Sequence, residues 1–187
     1  MLLNNCYPLP DPMVDQIEEI VTSQTFPWYL LKETTFADEQ ATPYAGVFDN
    51  NSFSHVLVMN YEVVSHQYDL FESALRLIAH HAKQPFTDIY RVRLGCLLPD
   101  NLPHHCPHVD FEEPHTTALY YVNKSDGDTF FFDFKEVDHV TPDRGKMIVF
   151  DGLDKHASSS PSKGYRIALN INSVSYTHLT LPTTLVV

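Results

Sequence analysis

Cysteine is scarce in this 187-residue chain, confined to Cys6, Cys96 and Cys106. Three widely spaced thiols cannot form a disulfide framework, so a small cross-linked scaffold is excluded. Cys106 lies between His105 and His108, but no CxxC or second cysteine pair accompanies it, as a structural zinc site would require. No apolar run approaches the roughly 20 residues of a membrane-spanning helix. The first twelve residues lack a basic stretch followed by an apolar one, so no secretory signal is expected and a cytoplasmic location is the default. Basic residues are also few, 12 Lys and Arg against 24 Asp and Glu, for a net charge of −12. A phosphate backbone needs a basic face, so nucleic acid is a poor partner. Repeats, low-complexity tracts and long linkers are missing too.

What remains is a globular balance: 43% hydrophobic, 12% aromatic and 19% charged residues, enough for one domain around one core. The spacing of Met13, Ile17, Ile20 and Val21 predicts a helix over 11–23, with Asp11 as its cap and Pro12 in its first turn. A second helix is expected over 66–82, with Phe71, Leu75, Ile78 and Ala79 as its buried stripe. Between them, 25–54 reads as irregular and aromatic. From residue 88 the pattern changes to short β-rich runs at 88–98, 116–123, 128–134, 146–150 and 165–173. Turn signals at 125–127, 142–145 and 162–164 separate them. Helices first and strands afterwards predict an α+β, mainly β domain: a sandwich or barrel with the N-terminal helices on one sheet. One domain over 1–174 is expected, its strand-rich part covering about 88–174. Residues 175–187 break the pattern and look like translated adapter sequence.

Histidine is the unusual component, with six of eleven falling between His104 and His156. In His108-Val109-Asp110, residues i and i+2 of an extended segment point the same way, so an imidazole and a carboxylate reach one point. Alone, such a pair is common. His156 follows 46 residues after Asp110, beyond three expected strands, enough chain to leave and return. Two histidines and one carboxylate form the facial triad of non-haem iron(II) sites, which leaves coordination positions open. Structural zinc would close its shell with four protein ligands. Arg166 lies within a strand on the face of Ala168, Asn170 and Asn172, while Tyr165, Ile167, Leu169 and Ile171 form the opposite, apolar face. An arginine there needs a partner, either a core carboxylate or a bound one.

These residues resemble the prolyl-4-hydroxylase-like branch of the iron(II)/2-oxoglutarate-dependent oxygenases. The resemblance spans 90–174. It is carried by His108-Val-Asp110, Ala118-Leu-Tyr-Tyr-Val-Asn123, Asp126-Gly-Asp-Thr-Phe-Phe132, Pro142 with Gly145-Lys-Met-Ile-Val-Phe150, His156 to Pro161 and Gly164-Tyr-Arg166. It implies a double-stranded β-helix, or jelly roll, with Fe(II) on His108, Asp110 and His156. It also implies a 2-oxoglutarate co-substrate whose distal carboxylate meets Arg166, and a Tyr121 hydroxyl assisting that arginine. The implied enzyme is a dioxygenase that consumes O2, with ascorbate as a candidate reductant. It hydroxylates an unactivated C–H bond and releases succinate and CO2. The substrate would be a prolyl residue of a protein or peptide, or a free amino acid or small metabolite.

The ligand for the proximal carboxylate is left open, with Asn170 and Asn172 as candidates from their face. The alternatives are a non-oxygenase metal-binding jelly roll, such as a cupin-like sensor or isomerase, a zinc hydrolase using Glu112 or Glu113, and a binding module with incidental histidines. His104, His105, His115 and His139 are expected to face solvent. Phe130 to Phe134 are expected in the sheet core.

Overall fold

The computed structural model describes residues 2–32, 51–100, 102–132 and 137–174. The proposed tail and residues 33–50 of the aromatic segment lie outside them. Each helix forms where its apolar spacing predicts. α1 (Asp11–Thr22) buries Val14, Ile17 and Val21, and α2 (Glu72–His81) buries Ala74, Leu75, Ile78 and Ala79. Two details differ from expectation. Pro10 occupies the N-cap position of α1, and Asp11 lies in the first turn without a side-chain cap, where its charge still suits the helix dipole. The second helix is split: a 3₁₀ turn at Tyr68–Leu70 precedes α2, and fully buried Phe71 sits at the junction.

The strands among the described residues are β1 (Leu2–Cys6), β2 (Tyr29–Leu31), β3 (Ser52–Met59), β4 (Glu62–Val63), β5 (Ile89–Leu97), β6 (Thr116–Tyr121), β7 (Thr129–Phe132), β8 (Val137–Val140), β9 (Met147–Asp151), β10 (His156–Ser158) and β11 (Arg166–Ser173). The large sheet runs β1-β9-β6-β11-β5-β3-β2, with β4 beside β3, and a smaller sheet runs β10-β7-β8. Every pairing is antiparallel. This is the mainly β jelly roll that the sequence predicts. No helix among the described residues is long and apolar enough to cross a membrane.

Strand alternation sorts the side chains of the large sheet into two layers. Tyr120, Met147, Val149, Ile167, Leu169, Ile171, Val92 and Leu94 face the helices and share one core with Ile17, Val21, Leu75 and Ile78. Leu119, Tyr121, Ile148, Phe150 and Ala168 point the other way, toward Val140 and Phe131 of the small sheet. Both faces of this sheet are therefore covered, yet its inner face is apolar only at one end. The other end holds the polar cavity.

One glycine is fixed by close approach. A Cβ on Gly127 would lie 2.6 Å from the Ser159 carbonyl oxygen and 2.9 Å from the Pro161 nitrogen. The same crossing is tied by Ser159 N–H to the Asp128 carbonyl at 2.9 Å, and by Asp128 N–H to Ser159 Oγ at 2.8 Å. Backbone cannot yield as a flexible side chain does. Gly127→Ala is expected to destabilise the domain by about 1–3 kcal/mol, as overpacking typically does. Each kcal/mol corresponds to a fall of about 2–4 °C in the calorimetric midpoint for a chain of this size. An unchanged midpoint would show that the crossing relaxes freely.

Candidate active site

His108 and Asp110 lie just before β6, in a segment pinned to β10. The His108 N–H donates to the His156 carbonyl at 2.9 Å, and the His156 N–H returns the bond at 3.0 Å. This two-residue bridge brings positions 48 apart in sequence face to face. One ligand atom from each of His108, Asp110 and His156 falls within 4.8 Å of the others.

The donor set fits a metal on its own chemistry. Nδ1 of His108 bonds the Cys106 carbonyl, and Nδ1 of His156 bonds the Asp154 carbonyl, both at 3.0 Å. With Nδ1 engaged as a donor, Nε2 of each ring is left as the lone-pair atom. Burial, with His156 next in weight, lowers the His108 pKa to about 4, so its ring is neutral at neutral pH. Burial alone would raise the Asp110 carboxyl. Arg91, then the two histidines, outweigh it and hold Asp110 well below the usual carboxylate range.

Asp110 is held from behind by the large sheet. Arg91 Nη2 donates to its Oδ1 at 2.7 Å, and Asn170 and Asn172 donate to its Oδ2 at 3.0 and 2.8 Å. Arg91 Nε also bonds Asn172 Oδ1 at 2.9 Å, and its guanidinium lies over the Phe111 ring. Asn170 and Asn172 thus serve the carboxylate of the triad. The sequence offers them instead as candidates for the proximal carboxylate of the co-substrate, but both amides are directed at Asp110.

Arg166 enters the same cavity, of about 100 Å³, which is also lined by Arg93, Gly95, Thr129 and Asn170. Only 5% of Arg166 is exposed. Its Nη2 donates to Thr129 Oγ1 at 2.8 Å, its Nε has no partner, and no carboxylate forms an ion pair with it among the described residues. Burial lowers its pKa, against the pull of Tyr121 and Asp128. A buried cation with unspent donors, opening on a cavity, fits a bound carboxylate. Tyr121 is fully buried; its hydroxyl donates to the same Thr129 Oγ1 at 2.8 Å, and its ring centroid is 5.7 Å from the Arg166 guanidinium carbon. Arginine and tyrosine therefore converge on Thr129.

Two expectations fail. His105 and His115, expected to face solvent, are 1% and 6% exposed. His105 Nε2 pairs with Asp100 at 2.9 Å, beside Ser160, which donates to the same carboxylate at 2.7 Å. His115 Nδ1 donates to the Glu113 carbonyl at 2.8 Å. A Pro-bounded polar loop looks exposed in sequence, and only its folding back over the sheets buries these rings. His139 is exposed as expected, and His104 packs on Phe130 and Phe132. Sequence reasoning also missed Arg91 and Arg93. The signal was there: they alternate with Val92, Leu94 and Cys96 and so must share the inward face with Gly95.

No family model matches the chain, and no curated protein matches it. Solved structures do match. An oxidoreductase of the 2OG-Fe(II) oxygenase family from Burkholderia pseudomallei aligns with TM-score 0.67 at 13% identity, over 92% of this chain and 84% of that one. A Pseudomonas putida prolyl-4-hydroxylase gives 0.58 at 14% identity, over 91% and 90%. A Trichoplax adhaerens prolyl hydroxylase, in complex with a hypoxia inducible factor oxygen degradation domain peptide, gives 0.61 at 10%, over 90% and 82%. The chain therefore has the jelly-roll fold of the 2-oxoglutarate/iron(II) oxygenases.

Proposed function

We propose that this protein is an iron(II)- and 2-oxoglutarate-dependent dioxygenase that hydroxylates an unactivated C–H bond. One observation carries the reading: a His108–Asp110–His156 cluster and a buried Arg166 without an ionic partner among the described residues open into one cavity. A metal-binding jelly roll of another class has no need for that arginine. The likeness of fold to oxygenases, prolyl hydroxylases among them, supports the same class.

In this reading His108, Asp110 and His156 hold Fe(II), and Arg166 holds the distal carboxylate of 2-oxoglutarate, which Thr129 and Tyr121 help to orient. When bound, iron and 2-oxoglutarate supply the oxidising power from O2, yielding succinate and CO2. The protein's own part is placement. Arg91, Asn170 and Asn172 fix the carboxylate, the Cys106 and Asp154 carbonyls fix the imidazole rings, and the apolar layer around Phe131 and Phe150 shields the site from water. Substrate candidates are a prolyl residue of a peptide and a free amino acid or small metabolite.

Anaerobic titration with iron(II) and 2-oxoglutarate is the direct test. The visible charge-transfer band of the chelate is expected in the wild type, is lost in His108→Ala and is weakened in Arg166→Ala. Correctly folded wild-type protein without a band would overturn the assignment.

A further inference from the structure

A second arginine in the cavity is left without a role by this reading. Ser54 of β3, Gly95 of β5 and Ala168 of β11 pair side by side across three strands. All three are small, and a Cβ on Gly95 would meet nothing within 4 Å. They form a floor with open space above it. Leu97 and Arg166 bound one end, and Arg93, opposite Asn170, bounds the other.

Arg93 Nε donates to Ser54 Oγ at 2.9 Å, which leans the side chain over this floor. Its two terminal amino groups make no hydrogen bond or ion pair among the described residues. Its charged neighbours are Arg91 and Asp110, and those two are already paired with each other. In the proposed complex the far carboxylate of 2-oxoglutarate would answer Arg166. The Arg93 charge stays unmatched in a half-buried position, a cost that a carboxylate partner would offset.

The geometry points to a second carboxylate subsite: Arg93 and the gap above Gly95 hold an acid group of the primary substrate beside the metal cluster. The substrate is then a small carboxylic acid, of which a free amino acid is one kind. It is not a residue inside a peptide, whose backbone carries no charge there. This rests on the oxygenase reading and narrows it.

The test uses the full chain loaded with Mn(II) and 2-oxoglutarate, with ¹³C-acetate as the probe and acetamide as the neutral control. Paramagnetic relaxation of the acetate carboxyl carbon by Mn(II) is expected in the wild type and not for acetamide. Arg93→Gln should weaken apparent acetate affinity at least tenfold while leaving 2-oxoglutarate affinity unchanged. Arg93→Lys should recover part of it, and Gly95→Leu, which fills the gap, should abolish it. Equal relaxation in Arg93→Gln and wild type, or none in the wild type, overturns the proposal. So does a tenfold loss of 2-oxoglutarate affinity in Arg93→Gln, which would give this arginine to the co-substrate. Failure of the oxygenase reading shows separately, as absent Mn(II) binding in the resonance spectrum of the free ion. Acetate binding at Arg93 is then measured by calorimetry on the metal-free protein.

Discussion

Asp110→Ala is expected to abolish metal binding and, independently, to destabilise the metal-free protein by about 3–5 kcal/mol. The second effect does not follow from a role as ligand. Asp110 and Arg91 form an ion pair with side chains 6% and 11% exposed, and Asn170 and Asn172 aim their amides at the same carboxylate. Removing the anion leaves a guanidinium and two amides facing an empty space that holds no counter-charge. Breaking a buried pair by deleting one partner is far more costly than replacing both. Scanning calorimetry without metal reads the stability, and the charge-transfer band reads the metal. The paired replacement Arg91→Met with Asp110→Leu should recover most of the lost stability and none of the metal binding. Wild-type stability in Asp110→Ala would show that the pair contributes little and that water reaches Arg91.

Arg166→Met is expected to have the opposite sign on stability. The guanidinium is buried, its Nε is unpartnered, and its polar neighbours Thr129 and Tyr121 keep each other when the arginine is gone. Replacing a buried charge that has no ion pair among the described residues by an apolar chain of similar length should leave the free protein as stable as before, or more stable by about 1–4 kcal/mol. Affinity for 2-oxoglutarate should fall by about 2–5 kcal/mol, roughly 30-fold to several thousand-fold, because the distal carboxylate would enter its end of the cavity without the guanidinium that pairs with it. Calorimetric titration of 2-oxoglutarate into the metal-loaded protein, beside a melt of the free protein, reads both. A destabilised variant with unchanged 2-oxoglutarate affinity would make Arg166 structural and remove the main support for the co-substrate. Together the two variants separate a charge already satisfied by the fold from one held in reserve for a ligand.

Most of the strands that sequence reasoning found carry a strong pattern on one face; β7, also found, is marked instead by its aromatic run. β5, β6, β9 and β11 each carry a run of aliphatic or aromatic residues against the helices. β3 escaped because its inward positions are Ser52 and Ser54, at the cavity, so its alternation is blurred. β10 has only three residues and is held by its pairing with β7 and the bridge to His108. The split of the second helix also goes unannounced, since Tyr68–Leu70 and α2 share one apolar stripe.

The amino-acid sequence by itself determined the fold class, the two helices, the sorting of β11 into an apolar face and a polar one, and the three residues that the fold gathers into a candidate metal cluster. These are local quantities, set by period and by side-chain type. Tertiary structure alone decided what those residues meet. That Arg91 answers Asp110, that Thr129 stands between Tyr121 and Arg166, and that Gly95 leaves room beside Arg93 all depend on register between strands. Register is set by the packing of the sheets as a whole, and pairs formed across it leave no fixed spacing along the chain.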